Sequence, residues 1–316
     1  MKKFHYCRPE TLLHTQRVSR LVEFIRSFEP DLSCFQELDQ KLIEAVEPAL
    51  SPRLERANFM LNESLPARDG CGIYYNSERL RIIDRRSVRF NNIVEKHLPS
   101  LTEAARRDDS VFSLTRAFDR EIREKANMAV LVKFEHVYSG KSIVVCSSHL
   151  FWDPSYPDLK LLQSYLLGKE VFEFSRGSDA AVIGADLNSL PVSSGVYELL
   201  MGSGTVPTDH PDHPVSLRSN KLNHQLNGVS TEAVPTLSLP SPFESAWRQV
   251  HGAEPSFTNY TASFKGCLDY VMLSGNIKAV STNTLPSAGE LLTETALPNS
   301  RWPSDHVPLV VDLDLS

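Results

Sequence analysis

Short, mostly continuous apolar runs punctuate the chain, and polar residues stand at their ends: Asp31–Glu37, Gly72–Asn76, Met128–His136, Ser142–Leu150, Ala180–Asn188, Leu268–Ser274 and Val307–Leu315. A strand with one face in water alternates apolar and polar residues, whereas a continuous apolar run of this length needs cover on both faces. Helical patterns lie between the runs. Leu12, Leu13, Val18, Leu21, Val22, Ile25 and Phe28 recur at helical spacing and stop before Pro30. A second helix is expected from about Gln40 to Ala49, and an amphipathic one over Pro157–Phe174. Alternating strands and helices with covered sheets give an α/β or α+β class.

A chain of 316 residues with 41% hydrophobic and 23% charged residues can bury a large core, and it reads as a single domain over residues 1–316. Two segments carry weaker patterns: Arg85–Lys125, a charged helical or loop insertion, and Thr205–Pro242, a long surface loop. The five cysteines, Cys7, Cys34, Cys71, Cys146 and Cys267, are odd in number and never at CxxC spacing, which disfavours a disulfide framework or a zinc site. The N-terminus lacks an apolar secretory core, and no stretch of about 18 apolar residues predicts a membrane span. The formal net charge of −6 disfavours nucleic-acid binding by bulk charge, so any such contact is local.

The polar residues at the ends of the runs are the candidates for chemistry, because ligands gather where rigid strands give way to loops. They are Glu37, His149, Asp186, Asn188, Asp269, Asp305 and His306. Singly, each has a plainer reading: a solvated loop acid, a structural histidine, an Asx turn or a cap. Together they suit phosphodiester hydrolysis. Mg²⁺ takes hard oxygen ligands, which Glu37 and Asp186 supply. Asn188 can hold a water or a phosphate oxygen. His306 with Asp269 forms an oriented imidazole for proton transfer or charge stabilisation, and His149 can donate to phosphate.

Five segments, FQELD (Phe35–Asp39), SSHLFWDPSY (Ser147–Tyr156), GADLNSLP (Gly184–Pro191), TNYTASFKGCLDY (Thr258–Tyr270) and PSDHVPL (Pro303–Leu309), resemble, in order, motifs of the endonuclease/exonuclease/phosphatase superfamily. With DGCGIYY (Asp69–Tyr75), they are similar above all to the carbon-catabolite-repressor-type poly(A) deadenylases, relatives of the 2′-phosphodiesterases and nocturnin-like proteins. The resemblance implies a DNase-I-like two-sheet α/β sandwich, one or two Mg²⁺ ions, and 3′-to-5′ release of AMP from poly(A) RNA. It implies metal binding by Glu37 and Asp186. Asp186, Asn188 and His306 would act on the attacking water and scissile phosphate, with Asp269 behind His306 and His149 on the phosphate. It also implies that Pro154 and Phe264 sandwich an adenine base. Cytoplasmic or nuclear RNA, other subunits of a deadenylase complex and no membrane are the implied setting.

Alternatives stay open: a 2′,5′-oligoadenylate phosphodiesterase, a phosphatase of small adenine or inositol compounds, or a catalytically silent RNA-binding or complex-binding subunit. The family's first strand carries an Asn of the metal and phosphate network, yet the first Asn here is Asn58. The expectation is therefore a sandwich without that strand. Asn127 resembles another family Asn.

Overall fold

The computed structural model describes residues 4–62, 69–107, 114–216, 231–287, 289 and 294–315. Its helices are α1 (His14–Ser27), α2 (Gln40–Leu50), α3 (Phe90–His97), α4 (Pro99–Arg107), α5 (Leu114–Glu124), α6 (Pro157–Phe174), α7 (Gly195–Met201) and α8 (Ala246–His251). The longer strands are β1 (Leu32–Asp39), β2 (Glu55–Leu61), β3 (Asp69–Tyr75), β4 (Leu80–Arg89), β5 (Met128–His136), β6 (Ser142–His149) and β7 (Ala180–Asp186). Short strands β8 (Thr205–Val206), β9 (Leu237–Ser238), β10 (Glu244–Ser245), β11 (Asn259–Tyr260) and β12 (Lys265–Gly266) follow. β13 (Asp269–Gly275), β14 (Lys278–Thr282) and β15 (Val311–Asp314) complete the set.

Six strands form the central sheet in the order β10-β13-β7-β6-β5-β4, and α6 makes the crossover between the parallel pair β6 and β7. Side chains of a strand alternate between its faces. On β5, Ala129 and Leu131 join a cluster under α3 to α7, while Met128, Val130, Val132 and Phe134 point to the opposite cluster. On β7, Ala181, Ile183 and Ala185 take the helical side, and Ala180 and Val182 the other. Both faces are covered, which accounts for the continuous apolar runs in the sequence.

The second layer comes in two pieces, a three-stranded sheet β1-β3-β2 and the pair β14-β15. Leu32 and Cys34 of β1 and Val311 and Leu313 of β15 pack against the same buried cluster over the central sheet. β1 lies at the edge of its sheet, paired with β3 alone among the described residues. Helices α1 and α2 cover the outer face of this layer through Val22, Ile43, Val46 and Leu50 around Leu38 and Tyr74. The result is the expected two-sheet sandwich with helices outside both sheets.

The structure revises several sequence expectations. Helix α6 is present over the expected residues, but it is buried nearly all round, polar Asp158, Lys160, Gln163, Ser164 and Glu170 included, rather than along one stripe. The charged segment Arg85–Lys125 is the end of β4 followed by helices, whose Phe90, Val94, Leu101, Phe118 and Ile122 are buried under their charged faces. Of Thr205–Pro242, residues 217–230 lie outside the described set. The rest carries β8 and β9 and buries His213, Ala233, Val234 and Leu237, so it is not a surface loop throughout. The last strand is shorter than Val307–Leu315. Pro308 has no N–H to give a ladder, and the Val310 N–H donates to the Asn283 side chain at 2.8 Å, so the strand spans Val311–Asp314. All five cysteines are free thiols. Among the described residues, no helix is long and apolar enough to cross a membrane.

Candidate active site

Strand register builds the centre of the site. His149 pairs with Asp186 across β6 and β7, and Asp186 pairs with Asp269 across β7 and β13. Directly opposed residues share a face of a sheet, so three side chains from segments far apart in sequence converge at one sheet end. His306 comes from beyond the sheet. A bridge between Asn259 and His306, with Val307 N–H donating to the Thr258 carbonyl at 2.7 Å, seats its loop against β11. There His306 Nδ1 lies 2.8 Å from Asp269 Oδ2, and its Nε2 lies 3.9 Å from Asp186 Oδ2.

Asn188 follows in a turn. Its backbone N–H donates to Asp186 Oδ1 at 2.8 Å, and its φ of 47° lies in the left-handed region that Asn tolerates better than most residues. Its Nδ2 donates to the Leu150 carbonyl at 3.1 Å and lies 2.9 Å from His149 Nε2. His149 Nε2 is in turn 3.5 Å from Asp186 Oδ2. The structure therefore brings His149, Asp186, Asn188, Asp269 and His306 into one constellation.

The charges are unbalanced. Asp186 is buried and carries its carboxyl pKa well above the ordinary range, first through burial and then through the nearby charge of Asp269. For His306, burial favours the neutral ring, but the charges of Asp269, Asp186 and Asp305 and the Asp269 hydrogen bond outweigh it. Its pKa is raised to about 10. Ligand atoms of Asp186, Asp269 and His306 lie within 4.8 Å of one another. Hard oxygen donors with surplus negative charge fit a divalent cation. Ligand atoms of His97, Glu170 and Glu173 lie equally close together, but Lys96 and Arg86 already pair with both glutamates. Its carboxylates are neutralised by protein cations.

Glu37 lies outside the Asp186–Asp269–His306 group. It stands on β1 where the register slips between Phe35 and Leu38, with φ 57°, and its side chain is exposed. Gln36 fastens that point to the central sheet, donating to Ser147 Oγ at 2.9 Å and the Gly184 carbonyl at 3.0 Å. Asp69, opposite Asp39 on β3, has its carboxyl pKa raised by burial and by Glu37, while His149 opposes the rise. Glu37, Asp69 and His149 thus share one electrostatic neighbourhood at the end of the sandwich that carries Asp186.

Pro154 is exposed on the loop between β6 and α6. Phe264 is 38% exposed in the β11–β12 turn, where its N–H donates to Thr261 Oγ1 at 3.2 Å. A side chain at Gly266 would meet Leu190 at 2.6 Å and the Phe264 ring at 2.9 Å. Phe264 therefore lies beside the loop that carries Asn188.

Sequence reading overlooked Asp69, Gln36 and Thr258 as site residues, although each stands inside a quoted motif. Thr258 Oγ1 donates to Asp269 Oδ2 at 2.5 Å and accepts from the Leu268 and Asp269 N–H groups at 2.9 and 3.0 Å. It thereby fixes the carboxylate that faces His306. The Thr258–Asp269 spacing in sequence gives no hint of this, because the β11–β12 hairpin closes it.

Comparison with known proteins agrees with this architecture. The Endonuclease/Exonuclease/phosphatase family model matches residues 12–306. The chain is 26% identical over 331 residues to the CCR4-Not complex 3′-5′-exoribonuclease subunit Ccr4 of Mycosarcoma maydis, covering 93% of this chain and 45% of that protein. It is 26% identical over 317 residues to 2′,5′-phosphodiesterase 12 of Mus musculus, covering 98% and 48%. It thus spans about half the length of these relatives. Among solved structures, ANGEL2, a 2′,3′-cyclic phosphatase in complex with adenosine-2′,3′-vanadate, superposes with TM-score 0.77 at 20% identity, over 99% of this chain and 90% of that one. The human Nocturnin catalytic domain with bound sulfate gives 0.63 at 17%, over 96% and 87%. At such identities these structures speak to the fold alone.

Proposed function

The chain belongs to the Endonuclease/Exonuclease/phosphatase family, and on that premise we propose that it is a Mg²⁺-dependent phosphodiesterase that removes AMP from the 3′ end of poly(A) RNA. The observation that carries this reading is the pairing of His306 with Asp269 beside Asp186, with Asn188 and His149 completing the ring. Glu37, Asp186 and Asp269 would hold the cation, which when bound would neutralise carboxylate charge and polarise the scissile phosphate.

The chain's own groups divide the remaining work. Asp186 takes the proton of the attacking water that Asn188, bonded to the same carboxylate, orients. His306, held protonated by Asp269, stabilises charge developing on the phosphate, and His149 donates to a phosphate oxygen. Pro154 and Phe264 grip the terminal base from two sides. One stacking contact contributes about 1–3 kcal/mol with little base selectivity, so preference for adenine needs further contacts to the base edge. The Ccr4 relative, named as a 3′-5′-exoribonuclease subunit of the CCR4-Not complex, supports RNA as substrate and attack from the 3′ end, while poly(A) and a deadenylase complex rest on the motif resemblance.

A second reading, cleavage of 2′,5′-linked oligoadenylate, is favoured by the match to 2′,5′-phosphodiesterase 12 at the same 26% identity. One assay tests both. 5′-Labelled A-oligomers with 3′,5′ or 2′,5′ linkages are incubated with Mg²⁺, with EDTA, and with Glu37→Ala protein. The expected result is a ladder shortening from the 3′ end of the 3′,5′ oligomer, abolished by EDTA and by Glu37→Ala. Preferential loss of the 2′,5′ oligomer would replace the substrate. Wild type and Glu37→Ala that are equally inert yet bind RNA would leave a silent binding subunit.

A further inference from the structure

Two polar residues of α6 are buried without a part in the chemistry above. Lys160 is 5% exposed and Gln163 is 1% exposed, and they lie three apart on one helix. Burying an ammonium or an amide is costly unless each finds firm partners. Lys160 Nζ donates to the Asn188 carbonyl at 2.7 Å. Burial lowers the Lys160 pKa, against the opposing charges of Asp212, Asp153 and Asp186. Gln163 Oε1 accepts from the Phe151 N–H at 2.8 Å, and its Nε2 donates to Asn127 Oδ1 at 3.1 Å. Asn127 Nδ2 in turn donates to the His149 carbonyl at 3.0 Å.

One turn of α6 therefore bonds both to the segment that carries Asn188 and to the residues that flank and hold His149. Asn188 sits at φ 47°, in the left-handed region, with both of its backbone polar groups bonded. Its N–H is tied to Asp186 and its carbonyl to Lys160, and its side-chain Nδ2 donates to the Leu150 carbonyl at 3.1 Å and lies 2.9 Å from His149 Nε2. We infer that Lys160 and Gln163 are positioning residues: α6 acts as a rigid template that sets the spacing of Asn188 and His149 across the phosphate site. This rests on the phosphodiesterase reading for its catalytic consequence, but not for its geometry.

The test uses Lys160→Met, which keeps the length of the stem and removes the donor, alone and combined with Asn188→Ala. Lys160→Met is expected to lower kcat by about 10- to 100-fold with KM changed less than about threefold, and to add less than about threefold in the Asn188→Ala background. A merely structural lysine would give the same loss in both backgrounds, and that result overturns the inference. Amide hydrogen exchange on the same proteins gives a readout independent of substrate. Exchange at Asn188–Leu190 is expected to speed at least tenfold in Lys160→Met while the amides of β7 keep their protection. Unchanged exchange at Asn188–Leu190 refutes the template even if the enzyme is active. If wild type cleaves neither oligoadenylate, faster exchange confined to those loops retains the template and rejects the substrate reading. Gln163→Leu provides the same pair of measurements at Phe151 and against His149→Ala should Lys160→Met not fold.

Discussion

Replacing Glu170 by Gln tests how α6 is locked against the helical insertion. The Glu170 side chain is 1% exposed, yet it accepts from Lys96 Nζ at 2.5 Å and Arg86 Nη1 at 3.1 Å, and its Oε1 lies 2.6 Å from His97 Nε2. Burial alone would raise its carboxyl pKa, but the bonds from His97, Lys96 and Arg86 win and lower it from 4.5 to about 2. At 1.36 kcal/mol per tenfold, that difference corresponds to about 3 kcal/mol of stability. Lys96 is 45% exposed and Arg86 34%, so water screens part of it, and about 2 kcal/mol is the working figure. Because the folded-state pKa is depressed, this contribution is complete above about pH 4.5 and disappears as pH falls toward 2. Urea unfolding of wild type and Glu170→Gln at pH 7, 5 and 3 measures it. The variant is expected to be less stable by about 2 kcal/mol at pH 7 and pH 5, with less than half of that gap left at pH 3. Equal stability at pH 7, or a gap that does not shrink on acidification, would refute the argument that ionised Glu170 clamps α3 and β4 to α6.

Two further outcomes follow from the geometry. Asp269→Asn removes the strongest of the influences that raise the His306 pKa to about 10, leaving Asp186 and Asp305, so in EDTA-treated protein the imidazole is expected to titrate at clearly lower pH in the variant than in wild type. NMR of the His306 ring reads this directly, and activity falls by about 100-fold or more; a wild-type ring that titrates near 6.5 would refute the first half. Gly184→Ala places a Cβ 2.8 Å from the Cys34 Cβ, which costs about 1–3 kcal/mol and lowers Tm by several degrees in a thermal melt. An unchanged Tm would show that β1 yields freely there.

The constellation was legible where residue type and strand position coincide. Continuous apolar runs marked β5, β6, β7 and β13, and their terminal polar residues became neighbours through register alone, as His149, Asp186 and Asp269 illustrate. The edge strand β4, LRIIDRRSVR, escaped because one of its faces meets water and a bulge between Ile82 and Asp84 breaks its alternation. Strands β2 and β14 mix exposed and half-buried positions and show no clean period. Lys160 and Gln163 could not be assigned from spacing, since their partners Asn188 and Asn127 lie on other elements and a buried lysine looks like any helical lysine in sequence. Glu37 was legible as a candidate, but its place at a bulge outside the Asp186 group depends on a register slip that no local pattern announces.

The divided second layer bears on how firmly the site holds together. Among the described residues, backbone bonds along β1 reach one flank, toward β3, and Gln36 supplies a side-chain tether to the central sheet. A cation held by both Glu37 of β1 and Asp186 of β7 would therefore add a tie between the two sheets. Loading the site and closing the sandwich would then be one equilibrium, in which each additional increment of affinity appears as resistance to β1 peeling away.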